Sequence, residues 1–190
     1  MPLHSRSTRV SFVGDSITAE GNWRTWFAGV PLVNEGIPGN TTLDVLARLE
    51  SIQARRPHTV LLMLGINDLL RGAEPRDAAA RIDRIRRQLR ERGGSRVVVQ
   101  STLACEPSAC GAAMVERVRR LNQLLRGLTP AGDYLDVDAV LSDGSGLRRG
   151  YSRDGLHLNQ AGYERWRALL RQELPTLWEP APARPHSTNL

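Results

Sequence analysis

"RVSFVGDSITAEGNW", residues 9–23, decides how the rest of the chain is read. Val10, Phe12 and Val13 form a short apolar run of the kind that makes a buried strand. The run breaks at Gly14 into Asp15-Ser16 and passes at once into a helical pattern carrying Trp23, Trp26 and Phe27. A serine at that junction has two readings. It caps the helix that follows, or it is a nucleophile delivered by the strand to the rim of a sheet, beside backbone N–H groups that favour developing negative charge.

The strand–helix alternation continues along the rest of the chain. Further apolar runs at 30–37, 59–65, 96–102 and 134–140 read as strands, and "TVLLMLG" (59–65) is apolar throughout, as a strand covered on both faces is. Between them the spacing predicts helices over 41–54 (Leu43, Leu46, Leu49, Ile52), 76–92 (Ile82, Ile85, Leu89), 112–128 (Met114, Val118, Leu121, Leu125) and 160–174 (Tyr163, Trp166, Leu170, Leu174). Asn159 is placed to cap the last. Five strands alternating with helices imply an α/β fold, a five-stranded parallel sheet with helices on both sides and right-handed crossovers.

The chain has 190 residues, 41% hydrophobic and 24% charged, a globular balance suited to one domain. No apolar run approaches the roughly 20 residues of a membrane span, and "MPLHSRSTRV" lacks the apolar core of a secretion signal, so the expected location is the cytoplasm. Residues 1–178 read as a single domain and the Pro-rich 179–190 as a loose tail. The net charge is +6, all 26 basic residues being arginine. They are scattered and mixed with acids, Asp83 and Arg87 having the i,i+4 spacing of a solvated helix face. This meets only the first test for nucleic-acid binding, and none is expected. Cys105 and Cys110 have no histidine nearby, so zinc is not expected. They read as two small loop residues, or as a local disulfide in an oxidising compartment.

In such a sheet ligands bind beyond the carboxyl ends of the strands. That rule selects Ser16 after the first strand, "NEGIPGN" (34–40) after the second, "GIND" (65–68) after the third, 105–110 after the fourth and 141–158 after the fifth. A serine nucleophile needs a base. Of four histidines, His4 and His186 lie near the termini and His58 precedes the third strand, at the wrong end of the sheet. His157 remains, with Asp154 three residues before it to hold the imidazole. If the strand order is 2-1-3-4-5, His157 must cross about 15 Å to reach Ser16, and an extended loop of this size spans roughly 50 Å. The same order flanks Ser16 with the glycine turn and "GIND". A backbone N–H and the Asn67 amide then meet one oxygen, as in an oxyanion hole. Taken alone, Gly36 and Gly39 are equally ordinary turn residues and Asn67 an ordinary loop residue.

Together these segments resemble the blocks of the SGNH hydrolases, the GDSL esterase/lipase family: "GDSIT" with Ser16, "NEGIPGNTT" with Gly39, "GIND" with Asn67, and "DGLHLN" with Asp154 and His157. The four blocks stand in family order over residues 14–159. The resemblance implies a three-layer α/β/α sandwich of flavodoxin-like topology and ester hydrolysis with no metal or cofactor. It also implies an oxyanion hole made by the Ser16 N–H, the Gly39 N–H and the Asn67 side chain. Pro38 and Leu158 depart from the usual pattern without removing a reacting group. The expected substrate is a small-molecule ester, with a short acyl group on a small polar or sugar alcohol. A thioesterase, lysophospholipase or acyltransferase would use the same residues, and the alternative of another class is a basic protein binding nucleic acid or an anionic surface. Specificity is expected in Leu70–Glu74 and Ala104–Gly111, with Cys105 and Cys110 shaping the rim outside the chemistry.

Overall fold

Every residue of the opening strand, β1 (Val10–Gly14), is buried, because the strand lies inside the sheet with a neighbour on each side. In the computed structural model, which describes residues 9–179, β2 (Leu32–Gly36), β3 (Thr59–Met63), β4 (Arg96–Gln100) and β5 (Tyr134–Leu135) complete a five-stranded parallel sheet in the order β2-β1-β3-β4-β5. Val13 pairs with Glu35 on one side and Leu62 on the other. The carboxyl ends of β1, β2 and β3 therefore lie side by side.

The helices are α1 (Ser16–Ala19), α2 (Trp23–Trp26), α3 (Thr42–Ala47), α4 (Leu49–Ala54), α5 (Ile66–Leu70), α6 (Pro75–Glu91), α7 (Pro107–Cys110), α8 (Ala112–Leu128), α9 (Val137–Leu141) and α10 (Gln160–Glu173). The long ones form where the spacing of apolar residues predicts. Ile82, Ile85 and Leu89 of α6 are buried, as are Val118, Leu121 and Leu125 of α8. α6 packs against α8, α3 and α4, while α10 packs against α9 and reaches β1 through aromatic rings. Phe12 stacks on Trp23 at 4.2 Å, and Trp23 meets Trp166 edge-on at 4.7 Å. The indole of Trp166, fully buried, donates to Gln100 Oε1, which meets the polar requirement of a buried tryptophan.

The structure departs from the sequence reading in three places. The strand expected over 134–140 pairs for only two residues before the chain turns into α9, because the Asp136 side chain accepts the Ala139 N–H and starts a helix. The single helix expected over 41–54 divides at Arg48, whose guanidinium reaches back to Asn40 Oδ1 and the Glu35 carbonyl. Leu43, placed on its apolar face, is 59% exposed, and Val45 takes the inner position. Asp83 does pair with Arg87, but it is buried and gripped by Arg86 as well, not solvated. Of the two readings of Cys105 and Cys110 the structure takes the disulfide, which closes the turn that contains α7. The expected tail lies, from residue 180 on, outside the described residues.

Candidate active site

Ser16 is not the cap of its helix. Asp15 is: its Oδ1 accepts the Ile17 N–H at 3.0 Å, leaving the Ser16 hydroxyl unused at the first helical position. The preceding Gly14 permits this close turn, since a Cβ there would lie 2.6 Å from the Met63 carbonyl and 2.0 Å from Thr18 Oγ1. α1 is a single turn, too short for a substantial macrodipole. What it offers an anion is the N–H of Ser16 itself, a first-turn donor without an intrahelical acceptor.

The hydroxyl faces His157. Ser16 Oγ lies 3.1 Å from His157 Nε2, and His157 Nδ1 lies 2.7 Å from Asp154 Oδ2. An ionised carboxylate only accepts, so the neutral ring carries its proton on Nδ1 and presents a bare Nε2 to the hydroxyl. Asp154 is itself locked: Oδ1 accepts the His157 N–H at 2.7 Å and the Leu156 N–H at 3.0 Å. The His157 backbone bond is the largest cause holding this carboxyl well below the usual carboxylate range. Asp15 has the opposite environment. Burial pushes it up to about 7 against the lowering effect of the Ile17 N–H and of His157.

Residues 141 units apart in sequence meet here because α10 is moored to α1. Asn159 caps α10 through the Gly162 N–H and donates to the Gly150 and Ser152 carbonyls. One turn later the Tyr163 hydroxyl donates to the Ile17 carbonyl at 2.7 Å, beside Ser16. Arg153 pairs with Glu20 at the far end of α1 and lies 3.6 Å from Asp154.

Gly39 and Asn67 occupy the rims on either side of Ser16, as the strand order requires. Gly39 adopts a φ of +76°, and among the described residues its N–H donates to no protein acceptor. Asn67 Nδ2 donates one proton to the Asn40 carbonyl at 3.1 Å, which fixes the amide and leaves the other proton available. The two rims are bonded to each other. Asp68, buried, accepts from the Thr42 N–H at 2.9 Å and the Thr42 hydroxyl at 2.5 Å, and Arg81 bridges the same pair. Arg71 donates to the Gly39 carbonyl. Asp68, Tyr163 and Arg153 were not singled out from sequence. The one available signal was that Asp68 adjoins Asn67 and a second polar block, "NTT", follows Gly39. His58 sits at the opposite end of the sheet, its carbonyl accepting from Arg96 at the start of β4.

Among the described residues no cluster of three or more His, Cys, Asp or Glu is arranged to hold a metal ion, and no helix is long and apolar enough to cross a membrane.

The chain is similar in sequence and in fold to known proteins. The chain is 31% identical to the platelet-activating factor acetylhydrolase IB subunit alpha1 of Bos taurus, over 86% of this chain and 77% of that one. A lipase/acylhydrolase from Enterococcus faecalis superposes with a TM-score of 0.76 at 24% identity, covering 93% of this chain and all of the other. A catalytic mutant of Axe2, an acetylxylan esterase from Geobacillus stearothermophilus, superposes at 0.75 with 18% identity, over 93% and 97%. The family model of the GDSL-like lipases/acylhydrolases matches residues 12–165, from the middle of β1 into α10 and thus across every rim segment described above. The chain belongs to that family, and it is a carboxylic ester hydrolase.

Proposed function

We propose that Ser16, His157 and Asp154 are the nucleophile, base and orienting acid of a serine esterase acting on short-acyl, acetyl-type esters of small polar or sugar alcohols. The observation that carries this reading is the continuous chain from Ser16 Oγ through the imidazole to Asp154, at 3.1 and 2.7 Å. His157 Nε2 takes the hydroxyl proton as Oγ attacks the ester carbonyl. The carbonyl oxygen becomes an oxyanion facing the Ser16 and Gly39 N–H groups and the second amide proton of Asn67. The imidazolium, stabilised by Asp154, gives its proton to the departing alcohol. Water then repeats the sequence on the acyl-enzyme and frees Ser16.

The acetyl preference draws on the relatives. One is named for acetyl hydrolysis of platelet-activating factor and another for esterase action on acetylxylan. The names share the acetyl group and differ in what carries it. The test is Ser16→Ala. Turnover of an aryl acetate is expected to vanish while the circular dichroism spectrum stays that of the native fold. Turnover within tenfold of wild type in the pure variant would reject Ser16 as nucleophile.

A further inference from the structure

We infer that the disulfide-closed turn, Cys105–Cys110, is the seat on which the Asp154–His157 loop rests, and that opening the disulfide disengages the acid–base pair from Ser16. The inference rests on the reading of these three residues as the catalytic set and adds Cys105 and Cys110 to it as positioning residues.

Two contacts fix the loop to the turn, one at each end. The Glu106 N–H donates to the Gly155 carbonyl at 2.7 Å, and the Leu147 N–H donates to the Cys105 carbonyl at 3.2 Å. Gly155, flanked by Asp154 and two residues before His157, lies so close to the turn that a Cβ on it would stand 2.4 Å from Ala109 Cβ. Gly146 is equally tight, a Cβ there falling 2.5 Å from the Cys105 carbonyl. Glu106 and Ser108 on the turn face Arg149, Ser152 and Asp154 on the loop across a groove of about 450 Å³. Within the turn itself only a single helical turn, α7, joins Cys105 to Cys110. The Ala109 and Cys110 N–H groups donate to the Glu106 carbonyl within that turn, and the covalent bond ties its far end, Cys110, back to the buried Cys105.

The two sulfurs differ in access. Cys105 is fully buried and Cys110 is half-buried. A dithiol reductant attacks Cys110 Sγ as its thiolate. The Sγ–Sγ bond breaks, and Cys105 leaves as a thiolate that takes up a proton. The second thiol of the reagent displaces Cys110, which takes up the other proton, and the reagent departs as a cyclic disulfide. Two electrons are transferred in all. Disulfides persist in oxidising compartments and are reduced in the cytoplasm, so the compartment sets which form of the enzyme operates.

The experiment compares oxidised wild type, wild type reduced with excess dithiothreitol to two free thiols per chain, and the Cys105→Ala/Cys110→Ala variant with and without dithiothreitol. Two readouts are taken: kcat and KM on an aryl acetate, and the downfield proton resonance of the His157 Nδ1–H···Asp154 hydrogen bond, assigned by its absence in His157→Gln. On reduction kcat is expected to fall about tenfold or more with KM changed less than twofold, and the downfield resonance to broaden or vanish. The double variant should match the reduced enzyme and ignore dithiothreitol. The proposal is overturned if the fully reduced enzyme keeps both its kcat and the resonance. It is equally overturned if reduction unfolds the whole chain, which would make the bond a global staple. The resonance needs no substrate. An enzyme inactive on every ester but losing the resonance on reduction would fail the substrate reading while upholding the positioning role.

Discussion

Asn67 has one amide proton spent on the Asn40 carbonyl and one to offer. A donor already held by the fold costs no reorganisation when charge develops, which is why single oxyanion donors carry large effects. Asn67→Ala is expected to lower kcat by about 10²–10³ on an aryl acetate with little change in melting temperature. A rise in KM at constant kcat would make Asn67 a substrate-binding residue instead. Asp15 is poised differently. Its carboxyl is pushed up to about 7 by burial, so between the unfolded value near 4 and pH 7 the folded state holds the extra proton. Stability from this group is therefore present at low pH and is lost as pH rises toward and through 7. At about 1.4 kcal/mol per unit, roughly three units give an upper bound of about 4 kcal/mol. Asp15→Asn keeps an acceptor for the Ile17 N–H and removes the titration. Its melting temperature relative to wild type should rise between pH 5 and pH 9, and a constant difference would show that Asp15 does not titrate in that range. The rim rule and the count of histidines point to Ser16 and His157 from sequence alone, and the structure brings the two side chains within 3.1 Å. Sequence alone could not show that Asp15 is the cap, because both Asp15 and Ser16 are good capping residues and only the backbone geometry separates them.

At the scale of elements, periodicity was a good guide where a helix is long and one face is buried. α8 falls on the predicted residues, and α6 and α10 fall within a residue of prediction. It failed where a few side-chain bonds override it. Asp136 turns the fifth strand into α9, and Arg48 coincides with the break between α3 and α4. The linkage between α1 and α10 was invisible for a related reason: Tyr163 reads as a core residue by spacing, and nothing in spacing says where its hydroxyl goes. That hydroxyl bonds the Ile17 carbonyl and so couples the helix that follows His157 to the helix that begins at Ser16. Tyr163→Phe keeps the ring in the aromatic cluster and removes only this bond. Stability should fall by about 1–3 kcal/mol, the cost of leaving a buried acceptor without a partner, measured by urea titration. The kcat should fall as well, since His157 and Ser16 lose a shared anchor. Loss of stability with unchanged kcat would show that Asn159 and Arg153 suffice to hold the register.

For the whole molecule, the parallel sheet collects the segments that carry Ser16, Gly39, Asn67 and His157 at one end, and no additional domain covers that end among the described residues. Four large apolar side chains are prominently exposed among them, Ile37, Leu43, Leu70 and Leu128. Ile37 stands two residues before Gly39, Leu43 follows that turn at the start of α3, and Leu70 ends the helix that carries Asn67. Side chains this exposed can border a mouth on the side of Gly39 and Asn67 but do not wall in a channel. A buried channel would add about 0.8 kcal/mol for each methylene it covers, close to a fourfold gain in kcat/KM per CH₂. An open border covers the first carbon or two and leaves the remainder in water. The kcat/KM should therefore be highest for acetyl or butyryl and decline through octanoyl and palmitoyl esters of a single alcohol. Leu70→Ser should depress the butyryl value more than the acetyl one, because only the longer acyl reaches past the hole to the border. A steady increase toward palmitoyl would require apolar cover that these rim segments do not supply, and would place the enzyme among the long-chain acylhydrolases.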